Sequence, residues 1–197
     1  MSRQYILNVG LIMQRASDLI ESKVYDLDGG KVVGKVDDLA FSLQTGAIHG
    51  IFVKRPLKRR SLGFVPLLSI KGFGKDTVTI LSSDCVEKGV AKPKGLLTKK
   101  IMTDRGNIIG TITDVIIARR ERVVVGLELS KSFWEDLKSQ RKIWPLSPDF
   151  IFGDAVIAPE NYHSLQPEKL VEYAKRLAPF FLQIENEEVC LLNGRDY

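Results

Sequence analysis

One stretch of this chain occurs twice. Asp28-Gly29-Gly30-Lys31-Val32-Val33-Gly34-Lys35-Val36-Asp37-Asp38-Leu39-Ala40-Phe41 matches Asp104-Arg105-Gly106-Asn107-Ile108-Ile109-Gly110-Thr111-Ile112-Thr113-Asp114-Val115-Ile116-Ile117 without a gap. The match persists downstream. Ile48-His49-Gly50-Ile51-Phe52-Val53 faces Val124-Val125-Gly126-Leu127-Glu128-Leu129, Phe64-Val65-Pro66-Leu67 faces Ile143-Trp144-Pro145-Leu146, and Gly74-Lys75-Asp76-Thr77-Val78 faces Gly153-Asp154-Ala155-Val156. Upstream, Leu19-Ile20 and Lys23-Val24 face Leu96-Leu97 and Lys100-Ile101. Glycine, proline and aspartate fall at the same punctuation points, with apolar residues between them. A duplication of this kind dictates two copies of one fold.

Each copy reads as β structure. Asp28-Gly29-Gly30 and Asp104-Arg105-Gly106 are tight-turn signals, and Gly34 and Gly110 interrupt the following apolar runs as a bulge or barrel bend would. Leu39, Phe41 and Leu43 then alternate with small or polar residues, the period of a half-buried strand. Gln44-Thr45-Gly46 closes a hairpin in the first copy, and Arg119-Arg120-Glu121-Arg122 does so in the second. Strands ending at Pro66 and Pro145 follow, then strands at Thr77 to Leu81 and Ala155 to Ala158. Five or six short strands in about 75 residues suggest a small barrel, because closure removes exposed edges.

With 44% hydrophobic and 27% charged residues the chain has the composition of globular protein. No run approaches the roughly 20 apolar residues of a membrane-spanning helix. The two cysteines, Cys85 and Cys190, are far apart and fit a reducing, cytoplasmic setting. The charge is uneven. Lys54, Arg55, Lys58, Arg59 and Arg60 carry as much positive charge as the net +5 of the whole chain. Such a cluster attracts phosphate backbones or anionic surfaces, and equally keeps an exposed hairpin soluble.

The turn, the glycine four residues on, the apolar-x-Asp-apolar step, the hairpin and the later Pro-Leu together resemble the PRC-barrel. This module is shared with the ribosome maturation factor RimM and the photosynthetic reaction-centre H subunit. The resemblance implies a mainly β chain of two tandem PRC-type barrels, at 15–90 and 91–160, followed by a C-terminal helix and acidic tail over 161–197. It implies a non-catalytic adaptor that binds a protein partner, with ribosomal RNA a further candidate. The alternative is a peripheral membrane or electron-transfer accessory protein like the cytoplasmic domain of the H subunit. The chain departs from both relatives, lacking a membrane helix and carrying a second barrel where RimM has a different N-terminal domain.

Pro167 opens a helical pattern in which Leu170, Val171, Ala174, Leu177, Ala178 and Phe181 share a face. Lys131 to Arg141 also reads as helical, with Phe133 and Trp134 on one side, and it replaces the basic run of the first copy. The copies therefore differ most at one equivalent hairpin. Since the loops of repeated scaffolds commonly bind, the candidate partner- or nucleic-acid-binding residues are Lys54, Arg55, Lys58, Arg59, Arg60, Phe133 and Trp134.

Catalytic chemistry is not expected. The histidines are His49, inside a predicted strand, and His163, in a loop. No Cys/His cluster has zinc-ligand spacing, no phosphate-loop motif is present, and no cofactor is implied. Asp38 and Asp114 occupy equivalent positions, which argues for a shared structural role such as accepting turn hydrogen bonds.

Overall fold

A computed structural model describes residues 5–6, 12–55, 61–130, 142–162 and 189–191. Two strands lead the chain, β1 (Tyr5–Ile6) and β2 (Ile12–Arg15). The first copy supplies β3 (Lys23–Asp26), β4 (Val32–Ser42), β5 (Ile48–Lys54), β6 (Ser61–Pro66), β7 (Ile70–Phe73) and β8 (Thr77–Ile80). The second supplies β9 (Lys100–Thr103), β10 (Ile108–Ala118), β11 (Val123–Ser130), β12 (Lys142–Pro145), β13 (Ile151–Phe152) and β14 (Val156–Ala158). β15 (Val189–Leu191) lies last.

The duplication holds strand by strand. The first sheet runs β6-β5-β4-β3-β8-β7 and the second repeats it as β12-β11-β10-β9-β14-β13. In each, the first and sixth strands in chain order, β3 with β8 and β9 with β14, pair in parallel. Register is also copied. Val36 pairs with Val53 as Ile112 does with Leu129, and Ala40 pairs with Gly50 as Ile116 does with Gly126. Both long strands are bulged at the same two places. At the first bulge Leu39 N–H donates to Asp38 Oδ1 at 2.9 Å, and Val115 N–H donates to Asp114 Oδ1 at 2.8 Å. The paired aspartates thus tie off backbone that the bulge removes from the ladder.

Gly34 and Gly110 are required by close approach. A Cβ at either would stand 2.5 Å from the carbonyl oxygen of Lys54 or 2.7 Å from that of Ser130. Inward residues such as Val36, Leu39, Ile51, Val78, Ile101, Ile112, Val115 and Val156 are fully buried, so the barrels are filled by aliphatic side chains. Their cores merge into one hydrophobic cluster.

The two halves meet about a local two-fold relation. Ala47 forms an antiparallel bridge to Val123, its own counterpart in the repeat, and Val124 N–H donates to Gly46 O at 2.8 Å. On one side of this join the β10–β11 turn docks on the first barrel. Arg119 donates to Phe73 O at 3.1 Å and to Gln14 Oε1 at 3.2 Å, and Arg122 donates to Lys71 O at 2.9 Å.

The terminal strands are exchanged. β2 precedes the first barrel but pairs with β10 of the second, while β15 follows the second barrel and pairs with β4 of the first. The registers are again equivalent, Ile116 to Arg15 and Ala40 to Leu191. Each long strand so gains a partner along an edge that would otherwise be open. The helix expected from Pro167 lies outside the described residues.

Candidate functional site

The basic segment begins at the end of β5. Lys54 does not stand apart as a free cation. Its side chain is 17% exposed, its ammonium pairs with Glu21 and lies 3.5 Å from Asp37 Oδ1. Glu21 also takes Lys35 at 3.2 Å, and these two lysines, Lys54 foremost, hold its carboxyl below the ordinary carboxylate range. Asp37, nearly buried, takes Lys92 from the segment linking the barrels. The Lys92 ammonium also lies 5.5 Å from the centre of the Phe52 ring, which packs on Phe64 at 5.0 Å. A chain of alternating charges therefore fastens the linker to the outer wall of the first barrel, with a cation–π contact at its end.

Arg55, the next residue, is exposed. Lys58, Arg59, Arg60, Phe133 and Trp134 lie outside the described residues, as does His163. The roots of their two loops are placed, however. Because Ala47 and Val123 bridge antiparallel, β5 and β11 leave the join in opposite directions. Seven residues of strand carry each root roughly 20 Å from it. The roots of the two loops, Lys54 and Ser130, consequently lie on opposite sides of the join.

A second polar cluster was not foreseen from the sequence. It fixes the exchanged strand β2 to the second barrel. Arg15 Nε and Nη2 reach Glu128 Oε2 and Oε1 at 2.6 and 3.0 Å, a bidentate pair with Glu128 1% exposed. Two residues on, Ser17 N–H donates to Asp114 Oδ1 at 3.2 Å and Ser17 Oγ donates to Asp114 Oδ2. Glu128 occupies the position of Phe52 in the first copy, so the wall built from aromatics in one barrel is built from charges in the other. The only signal in the sequence was a glutamate inside an apolar strand.

Burial raises the Asp114 carboxyl above its usual range, and the neighbouring Glu128 carboxylate pushes the same way. The native state therefore holds a proton that the unfolded chain has released above about pH 4. Stability from this group is present at low pH and declines as pH rises through the native value. Asp114→Asn keeps an acceptor for Ser17 and Val115 and removes this decline. The stability difference between variant and wild type is expected to grow in the variant's favour as pH rises from 4. A difference constant with pH, measured by chemical denaturation, would contradict this reading.

The remaining reactive groups have structural settings. Asp26 accepts N–H groups from Asp28 at 2.8 Å, Gly29 at 3.1 Å and Ser83 at 3.0 Å. The Gly29 and Ser83 bonds lead in holding its carboxyl below the usual range. His49 is half-buried in β5, and Cys85 is a half-buried thiol after β8. Among the described residues no group of three His, Cys, Asp or Glu is arranged to hold a metal, and no helix is long and apolar enough to cross a membrane.

The family model of the PRC-barrel domain matches residues 12–83 and again 94–158. The chain belongs to the PRC-barrel family. The two matches cover the two repeated sets of six strands, β3–β8 and β9–β14, so the tandem barrel expected from the repeat is what the chain folds into. No protein of curated function matches it significantly. Among the described residues of this PRC-barrel pair, the buried carboxylates serve bulges, turns and the anchoring of β2 and of the linker.

Proposed function

We propose that this tandem PRC-barrel protein is a non-catalytic adaptor that binds a protein partner, with ribosomal RNA as a ligand of the basic hairpin. The observation carrying this reading is the contrast between scaffold and loop. Two barrels of matching register bear, at equivalent positions, one loop rich in cations and another containing Phe133 and Trp134. Structural demands common to both barrels do not explain such a difference, whereas separate binding tasks do. The buried carboxylates of the described residues are engaged in structural hydrogen bonds and ion pairs.

The neutralisation of Lys54 within the barrel sharpens the expectation. The phosphate-binding charge proposed for this segment is then that of Arg55, Lys58, Arg59 and Arg60. RNA affinity should fall with salt at a log–log slope of up to about −3 to −4, taking roughly 0.7–0.9 per phosphate neutralised. Arg59→Glu with Arg60→Glu should reduce that slope by about 2 and leave the folding midpoint unchanged. Lys54→Ala should instead lower stability more than it lowers affinity. A salt-independent interaction, or none with ribosomal particles in a pull-down at low salt, would remove RNA from the reading. Flotation with anionic vesicles in the same series would favour a membrane-surface role in its place.

A further inference from the structure

The outer face of the second barrel carries a row of aliphatic side chains that spans four strands. Ile108 of β10 stands opposite Met102 of β9, Met102 opposite Ile157 of β14, and Ile157 opposite Ile151 of β13. Directly opposed residues share one face of a sheet. Their sequence neighbours Ile101 and Val156 are fully buried in the barrel, so this row points outward. Ile108 and Ile151 at its ends are 64% and 65% exposed. The equivalent row of the first barrel reads Val32, Tyr25, Thr79 and Gly72. The second copy alone has a continuous aliphatic ribbon, roughly 14 Å across at 4.8 Å per strand.

The borders of this ribbon differ in charge. Exposed Lys100 precedes Met102 by two residues on β9, Lys99 reaches Gly153 O beside it, and Asp154 lies in the same turn. Along the opposite border lie Asp104, Arg105 and Glu160, the last accepting from Asn107 at 3.3 Å. One border is net positive and the other net negative. Laying a second molecule face to face about a two-fold axis along the ribbon puts isoleucine on isoleucine. The same operation sets the lysine border of each molecule against the acidic border of the other.

We infer that the ribbon is a self-association surface whose occupant is a second copy of this chain. Sheets packed this way stand about 10 Å apart, and an isologous contact of this kind closes at two subunits. The ribbon is smaller than the roughly 800 Å² per partner of a standard interface, so the dimer is weak and reversible, with a dissociation constant on the order of 10 μM.

Sedimentation equilibrium of the full chain tests this. A monomer–dimer equilibrium is expected on raising the concentration to about 300 μM, well beyond that constant by mass action. Ile151→Lys and Ile108→Lys, both at exposed positions, should each weaken association by about tenfold or more while circular dichroism stays unchanged. Lys100→Glu alone and Asp104→Lys alone should also weaken it, and the double exchange should restore it. A chain that remains monomeric, or a dimer indifferent to Ile151→Lys, would overturn the inference.

Discussion

Gly46→Ala is expected to cost about 3–5 kcal/mol of folding stability, several times the effect of a glycine replacement at an ordinary turn. Gly46 has φ +77°, where an L side chain is strained by about 1–2 kcal/mol. A Cβ there would also stand 2.1 Å from the carbonyl oxygen of Val124 and 3.1 Å from Leu146 Cδ2. Those atoms belong to the other barrel, and the oxygen is backbone, so relief requires the barrels to part and the Val124 N–H to Gly46 O bond to lengthen. Gly30→Ala separates the two contributions. Gly30 has φ +64° with nothing within 4 Å of the added carbon, so it should show the strain alone, about 1–2 kcal/mol. Equal losses for the two variants by denaturant titration would mean that the join contributes little.

Arg15→Ala should destabilise by about 3–5 kcal/mol, because it strands a nearly buried Glu128 carboxylate without its guanidinium. The loss should be largely reversed in Arg15→Met with Glu128→Leu, where neither charge is buried. Such a pattern would show that the pair serves to place β2 on the second barrel more than to supply net energy. Arg15→Ala costing under about 1 kcal/mol would instead mark the bridge as an exposed pair of little worth. The two-variant cycle is informative because both residues belong to one contact and their effects cannot add.

Much of this architecture was legible in the residues. Gly34 and Gly110, Asp38 and Asp114, and Pro66 and Pro145 sit at bulges and strand ends because both copies need the same local backbone, and local backbone demands leave marks in sequence. The positions of positive φ repeat as well, Gly30 with Gly106 and Gly46 with Arg122. What escaped reading was long-range. Nothing in Ile12–Arg15 announces that it pairs 100 residues downstream with β10, since a four-residue strand carries no record of its partner. The same holds for Lys54. In sequence it belongs to a basic run, and in space it faces Glu21 and Asp37, which lie more than a dozen residues away. Arg119 and Arg122 read as turn residues for the same reason, although they hold the first barrel through Phe73 and Lys71.

The central claim is that two copies of one barrel are joined about a relation that brings Ala47 against Val123. Antiparallel bridge partners have Cα atoms about 4.5–5.5 Å apart, inside the span a disulfide accepts. In a Cys85→Ser, Cys190→Ser background, Ala47→Cys with Val123→Cys should oxidise nearly completely to an intramolecular crosslink, detected by thiol labelling and mass spectrometry. Two thiols that stay reactive under oxidising conditions, or crosslinks formed only between molecules, would contradict it.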